Sequence, residues 1–258
     1  MDADPALSER AVERACRIVE VRRFGPYALL SMAAPDLARR AVPGQFVMVA
    51  VPGGSFLLRR PISVHSVTSE RVRLLVEPRG SGTAVLAALP VGETLSVAGP
   101  LGRGFPLADV TAGLLVGGGI GTAPLQFVAD ELRGRGVPLV AAFGFRDAAQ
   151  ARLAGAFDIE PLWVATEDGS IGRRGTAVAL LDALEISAQA TVFACGPTPM
   201  VAALAAWAAH RGSSGFASLE AHMACGSGAC HGCVIPTSVG YKRVCSDGPV
   251  FPLGELEG

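Results

Sequence analysis

The chain has 258 residues, enough for two compact domains and a short appendage, and half of them are apolar against 17% charged. That excludes a disordered or solvating chain and points to ordinary globular packing. The formal net charge of -1 gives no general electrostatic attraction to nucleic acid, and the rarity of lysine, with Lys242 alone among 22 basic residues, carries no chemistry of its own.

The first ten residues, MDADPALSER, are acidic and polar. They lack the basic and apolar regions of a secretory signal, so a cytoplasmic chain is expected. The first hundred residues then read as short strands at 15–21, 27–32, 45–51, 62–67, 72–77 and 94–98, separated by breaks such as Pro43-Gly44, Pro52-Gly53-Gly54 and Gly99-Pro100. Such a run predicts an antiparallel β-barrel over 1–109. One helical stretch interrupts it from Thr83, with Ser81-Gly82 as the expected cap.

From about Gly113 the rhythm changes to alternating strands and helices, the pattern of a parallel sheet with crossover helices, expected over 110–217. The uncharged run 110–129 has the length of a membrane span. It contains Gly117, Gly118, Gly119, Gly121 and Pro124, however, so a buried strand, a glycine turn and a helix start explain it better. Continuous apolar runs at 114–116, 139–143, 162–166 and 191–194 suit strands covered on both faces. Leu125, Val128, Ala129 and Leu132 keep helical spacing, with Gly134 and Gly136 closing the segment. Thr198-Pro199 offers a cap and a first-turn proline for a helix over 200–209.

The last part of the chain, 218–258, carries four of the six cysteines. Cys225, Cys230 and Cys233 form C-x4-C-x2-C and Cys245 follows, the spacing of a plant-type [2Fe-2S] site. Two irons need four converging thiolates, and Gly226-Ser227-Gly228-Ala229 supplies a loop of small residues through which backbone N–H groups approach. A structural zinc site more often shows two C-x2-C pairs. His231, His222, His65 and His210 read as exposed or structural, because all four thiols are already present. Cys16 reads as a core residue. Met223, Ala224 and Ala229 around the loop suggest a docking face.

Three further segments suit phosphate. Gly117 to Pro124 lies between a strand and a helix, where backbone donors and the positive end of a helix meet, although Thr122 stands where the dinucleotide fingerprint has its third glycine. Arg59-Arg60-Pro61-Ile62-Ser63 places an arginine beside a small hydroxyl, a pair able to hold a diphosphate. Gly82-Thr83 at a helix start completes that cradle. Ala194-Cys195-Gly196-Pro197 ends a buried strand at the edge where open sheets bind ligands.

The order RRPIS, GT at a helix start, GPLGRGF, GGGIGTAPL, CGPTPM and C-x4-C-x2-C with a late cysteine resembles the ferredoxin reductase superfamily. It is most similar to the electron-transfer subunits of class 1B, NAD-dependent dihydroorotate dehydrogenases, over nearly the whole chain. The resemblance implies a FAD-binding barrel, an NAD-binding α/β domain and a small C-terminal [2Fe-2S] module, with Cys225, Cys230, Cys233 and Cys245 as ligands. It implies that Arg60, Pro61, Ile62, Ser63, Gly82 and Thr83 contact FAD. Leu75, Val76 and Glu77 match a segment that lines the flavin, where the family often carries an aromatic and an arginine. Gly118, Gly119, Ile120, Gly121 and Thr122, with Cys195, Gly196 and Pro197, would frame the NAD site. Thr166-Glu167-Asp168 argues for NAD over NADP, with Arg173 and Arg174 nearby.

By the same resemblance the partner is an FMN-containing dihydroorotate dehydrogenase catalytic subunit in a heterotetramer of two of each, acting in pyrimidine biosynthesis. Electrons would pass from FMN through the cluster and FAD to NAD, with no acid-base pair or nucleophile required on this chain and no nucleic acid or membrane involved. Two other readings are a sibling reductase serving a hydrogenase, transhydrogenase or oxygenase, and a metal-stabilised interaction protein that has lost the flavin.

Overall fold

The computed structural model describes residues 12–54 and 56–256. The stretch 1–10, on which the expectation of a cytoplasmic chain rests, lies outside the described residues. Six strands, β1 (Val12–Phe24), β2 (Tyr27–Ala33), β3 (Phe46–Val49), β4 (Arg60–Val67), β5 (Arg71–Val76) and β6 (Thr94–Leu101), close into a barrel in the order β1-β2-β5-β4-β3-β6, every pairing antiparallel. Closure removes the exposed edges that an open sheet of this size would present. The interior is filled by Ile18, Leu30, Met32, Val64, Leu74 and Leu95, all essentially inaccessible. Each such side chain contributes about 1.5–3 kcal/mol by leaving water.

Two helices accompany the barrel. The sequence pattern misses α1 (Pro35–Arg40), which is too short to show a period but starts on a proline and ends on Arg39 and Arg40. The second, α2 (Ser81–Ala88), starts one residue earlier than the expected cap: Gly80 is the N-cap, and the Thr83 hydroxyl accepts from the Gly80 N–H at 3.1 Å.

The second half is built on a seven-stranded sheet. Its parallel strands are β7 (Gly113–Gly118), β8 (Leu139–Phe145), β9 (Leu162–Thr166), β10 (Arg173–Arg174), β11 (Thr191–Cys195) and β12 (Gly215–Ser218). They lie side by side in the order β10-β9-β8-β7-β11-β12. The run 110–129 resolves into β7, a 3-10 turn at Gly119–Thr122 and the start of α3 (Leu125–Gly134). No described helix is long and apolar enough to cross a membrane. Gly136 at φ +70° closes α3 as expected.

Short helices α4 (Ala148–Ala151) and α5 (Ala177–Leu180) precede the long α6 (Thr198–Arg211). Pro197, not Thr198, is the N-cap of α6, and no side chain caps it; Thr198 already belongs to the first turn.

The cysteine-bearing segment adds a hairpin, β13 (Val234–Thr237) with β14 (Gly240–Arg243), and then returns to the main sheet as its seventh strand, β15 (Val250–Pro252), antiparallel to β12. The sheet therefore takes its edge strand from beyond residue 218. A three-residue strand carries no readable pattern, so this return is invisible in the sequence. Phe46, Met48, Cys233, Val244, Cys245 and Phe251 form a small core joining barrel strand β3 to this segment.

Candidate functional site

The sheet reverses its winding between β7 and β11: β8 and β9 lie to one side of β7, β11 and β12 to the other. The carboxyl ends of two such strands leave a crevice, because their connections depart in opposite directions. Gly117 and Cys195 are level across the pair. The turn after β7 packs so closely on the end of β11 that a Cβ on Gly121 would lie 2.5 Å from the Gly196 Cα. Similarly, a Cβ on Gly118 would lie 2.8 Å from Pro197. Gly118, Gly119, Gly121, Gly196 and Pro197 thus form one backbone surface. The Thr122 hydroxyl closes the turn by donating to the Gly119 carbonyl at 2.7 Å, which leaves it buried.

A cleft with a cavity volume of about 180 Å³ opens where this crevice meets the barrel and the cysteine segment, lined mainly by apolar groups with a few polar ones, as ligand sites are. Pro61, Ile62, Ser63, Leu75, Glu77 and Thr83 line it from the barrel half, Ile120, Ala123 and Cys195 from the sheet, and Glu220, Ala221, Met223 and Pro249 from the C-terminal segment. Side chains alternate along β5, so Leu75 and Glu77 face the cleft while Val76 points into the barrel core at 1% exposure. The side chain of Val76 is therefore not a lining group, whatever its place in the motif. Met223 likewise lines the cleft and packs on the small core, whereas Ala224 and Ala229 are exposed.

Phe46, Arg79, Ser218, Leu219, Glu220 and Ala221 also line the cleft and were not read from the sequence. For Arg79 a signal existed: it stands immediately before the Gly80-Ser81-Gly82-Thr83 helix start. Its guanidinium is ion-paired with Glu77 and, at 3.3 Å, with Glu220. Burial opposes its charge, but the two carboxylates prevail and raise its pKa. The pairing ties the barrel to the first residues of the cysteine segment across the cleft mouth.

Arg59 and Arg60 part company. Arg59 donates to the Met48 and Ser96 carbonyls and pairs with Glu13, holding β-strands together. Arg60 donates to the Leu58 carbonyl, lies over the Phe56 ring at 5.4 Å and packs against Gly82 at the start of α2. It leaves guanidinium N–H groups beside the first turn of a helix, a donor set suited to a diphosphate.

Cys195 is buried at 2% exposure, and burial followed by the nearby Glu220 charge pushes its thiol pKa up. The thiol stays protonated, so it presents a neutral S–H to the cleft. His65 is the extra residue at a register shift in β4 between Val64 and Ser66. A bulge re-aims a side chain, and here the ring reaches the Ala123 carbonyl at 2.8 Å, joining barrel to sheet. Burial lowers its pKa to about 4. The neutral ring thus has a structural task, as expected.

Around the cysteines the backbone points inward. The N–H groups of Ser227 and Cys230 reach Cys225 Sγ at 3.4 Å each, that of Gly228 reaches Cys245 Sγ at 3.1 Å, that of Gly232 reaches Cys230 Sγ at 3.4 Å, and that of Cys245 reaches Cys233 Sγ at 3.4 Å. Gly226 and Gly228 at φ +70° and +85°, and His231 at +56°, shape the loop. Cys225 is opposed by burial, yet the Ser227 and Cys230 N–H groups bring its pKa down to about 6; Cys245 is pushed up to about 12 by burial and by Cys233. The backbone links the thiols in sequence order, the Cys230 N–H reaching Cys225 Sγ and the Cys245 N–H reaching Cys233 Sγ. Among the described residues no three His, Cys, Asp or Glu side chains are gathered as for a single metal ion. Four cysteines at C-x4-C-x2-C spacing under five N–H donors fit a two-iron cluster better than one zinc ion.

A closed barrel, a sheet with a crevice at its winding reversal and a cysteine module meeting at one cleft define an iron-sulfur flavoprotein reductase of the ferredoxin reductase fold. A chain of a solved NADH-dependent reduced ferredoxin-NADP oxidoreductase superposes with TM-score 0.83 at 27% identity, covering 95% of this chain and 90% of that one. The ferredoxin reductase in carbazole 1,9a-dioxygenase shares the fold at TM-score 0.65 and 20% identity, over 79% and 67% of the two chains. The model of the iron-sulfur cluster binding domain of dihydroorotate dehydrogenase B matches residues 220–257. The electron transfer subunit of dihydroorotate dehydrogenase B (NAD(+)) from Bacillus caldolyticus is 43% identical over 83% of this chain and 86% of its own length. That from Geobacillus thermodenitrificans (strain NG80-2) is 40% identical over 88% and 91%. The chain belongs to the family of dihydroorotate dehydrogenase B electron transfer subunits.

Proposed function

We propose that this oxidoreductase subunit carries electrons from the FMN of a dihydroorotate-oxidising partner to NAD, in pyrimidine biosynthesis, within a heterotetramer of two of each subunit. The observation that carries the reading is the shared cleft: barrel, sheet and cysteine segment each contribute lining residues to one space. Bound there, FAD supplies the exchange between two single electrons from a [2Fe-2S] cluster and one hydride for the nicotinamide.

The rest of the task falls to the chain's own groups. Cys225, Cys230, Cys233 and Cys245 hold the cluster beneath backbone donors, which disperse the charge of the thiolates. Arg60 and the N–H groups at Gly82 and Thr83 bind the FAD diphosphate, while Pro61, Ile62, Ser63 and Leu75 seat the ring system. Gly118 to Thr122 and Cys195-Gly196-Pro197 accept NAD in the crevice, where glycine lets the dinucleotide approach the backbone closely. Glu167 and Asp168 follow β9 and are exposed, with Asp168 folded onto Ser170 through bonds of 2.9 and 2.6 Å. Their charge disfavours the extra phosphate of NADP. Residues 1–109, 110–217 and 218–258 serve as flavin, nucleotide and cluster modules, the last lending β15 to the sheet.

The likeness to the NADH-dependent ferredoxin-NADP oxidoreductase chain favours a second reading, a sibling reductase with another partner. An anaerobic pull-down of the tagged protein separates the two. Bleaching of flavin and cluster absorbance by dihydroorotate, in a complex with an FMN subunit, supports the first reading. A complex that ignores dihydroorotate and bleaches with NADH supports the second.

A further inference from the structure

Ser246 follows the last cysteine of the motif, and its hydroxyl oxygen is buried with no hydrogen-bond partner among the described residues. Buried hydroxyls nearly always find a partner, so an orphan next to a cofactor site calls for an unseen acceptor or donor. The oxygen fills the space beside Gly228: a Cβ built on that glycine would lie 2.9 Å from it. Gly228 is also the residue whose N–H reaches Cys245 Sγ at 3.1 Å. The hydroxyl therefore sits against the backbone that faces the sulfurs.

The other polar groups nearby are engaged. The Ser246 N–H donates to the Arg243 carbonyl at 3.2 Å. The Asp247 carboxylate accepts from the Arg243 N–H at 2.7 Å and from its guanidinium at 3.2 and 3.3 Å. The Gly228 carbonyl accepts from Arg243 at 3.3 Å.

We propose that the Ser246 hydroxyl donates a hydrogen bond to a sulfur of the cluster held by the four cysteines, and that this bond makes the cluster easier to reduce. The inference rests on the cluster reading above. Reduction places one further electron on the cluster and no proton on Ser246. A donor aimed at a sulfur stabilises the more negative state more than the oxidised one, which raises the potential.

The test is an EPR-monitored anaerobic redox titration of the full chain, loaded with cluster and FAD, using dithionite as reductant. Ser246→Ala is expected to keep the [2Fe-2S] signal but to favour the reduced state about tenfold less, a fall of about 59 mV for one electron. Ser246→Thr restores the potential, because it restores the hydroxyl. In D2O-exchanged samples, pulsed EPR shows a deuteron coupling in the wild type and Ser246→Thr that Ser246→Ala lacks. Ser246→Gly removes the same oxygen and replaces Ser246→Ala should that variant not load. Equal potentials and equal deuteron couplings with and without the hydroxyl overturn the proposal and assign Ser246 to a buried water. A wild type with no [2Fe-2S] signal overturns the cluster reading itself.

Discussion

A Cβ placed on Gly82 would lie 2.6 Å from Arg60 Nε, so the first turn of α2 rests directly on the guanidinium of β4. The glycine is needed for the space it leaves, which the arginine occupies. Gly82→Ala is expected to displace Arg60 and weaken FAD retention without unfolding the barrel. Flavin absorbance after gel filtration, set beside the far-UV circular dichroism of the variant, checks this.

The two adjacent arginines should separate cleanly. Arg60→Ala removes a charged hydrogen-bond donor set worth about 1.5–3 kcal/mol of FAD binding and leaves apoprotein stability nearly unchanged. Arg59→Ala instead loses the bonds to Met48 and Ser96, so its urea midpoint falls while the FAD affinity of the folded fraction is kept. Denaturant titration and flavin binding on both variants decide it, and reversed effects would sink the assignment.

Cys230→Ser is expected to abolish the cluster absorbance and iron content while FAD stays bound. The cysteine loop and the Arg60-Gly82 contact lie in different parts of the fold, one at the hairpin module and one on the barrel. A variant that lost its flavin together with its iron would show that the two sites depend on each other.

Gly121→Ala forces a methyl group to within 2.5 Å of the Gly196 Cα. Backbone cannot yield there as a side chain could, so the β7 turn and the β11 end must part. The expected result is a KM for NADH raised tenfold or more in a dye-reduction assay, with FAD and iron content unchanged.

His65 gives the fold a defined acid sensitivity. Its folded pKa of about 4 lies below the ordinary histidine value of 6.5 because burial disfavours the charged ring. The unfolded chain therefore binds the extra proton first. The neutral-ring contribution is fully present above pH 6.5, falls as the pH drops toward 4 and is then constant, amounting to about 3 kcal/mol in all. His65→Gln removes the titrating group, so the variant should show a smaller drop in stability between pH 7 and pH 5 than the wild type. Urea titrations of both proteins at those two pH values measure the difference.

Much of this molecule was legible in the linear chain. Alternation and turn residues announced the six barrel strands, since period-two patterns survive wherever one face is buried. The apolar runs ending at Gly117 and Cys195 announced the central sheet, and C-x4-C-x2-C announced a loop whose backbone N–H groups point at the cysteine sulfurs, because spacing along a loop is itself a geometric constraint. The short elements α1, β10 and β15 were not legible, being too brief to repeat a pattern. Nor was the burial of Val76, which follows from the register of β5 rather than from its motif.

The longer local elements, the cysteine spacing and the glycine turns were thus settled along the linear chain, since all of them depend on neighbours a few residues apart. Folding in three dimensions was needed to settle which arginine faces the helix start, that Arg79 bridges Glu77 to Glu220, that His65 reaches Ala123 and that the Ser246 hydroxyl finds no partner among the described residues. Each of these depends on residues distant along the chain. Such contacts are set by barrel closure and by the return of β15 to the sheet, and no local pattern encodes them.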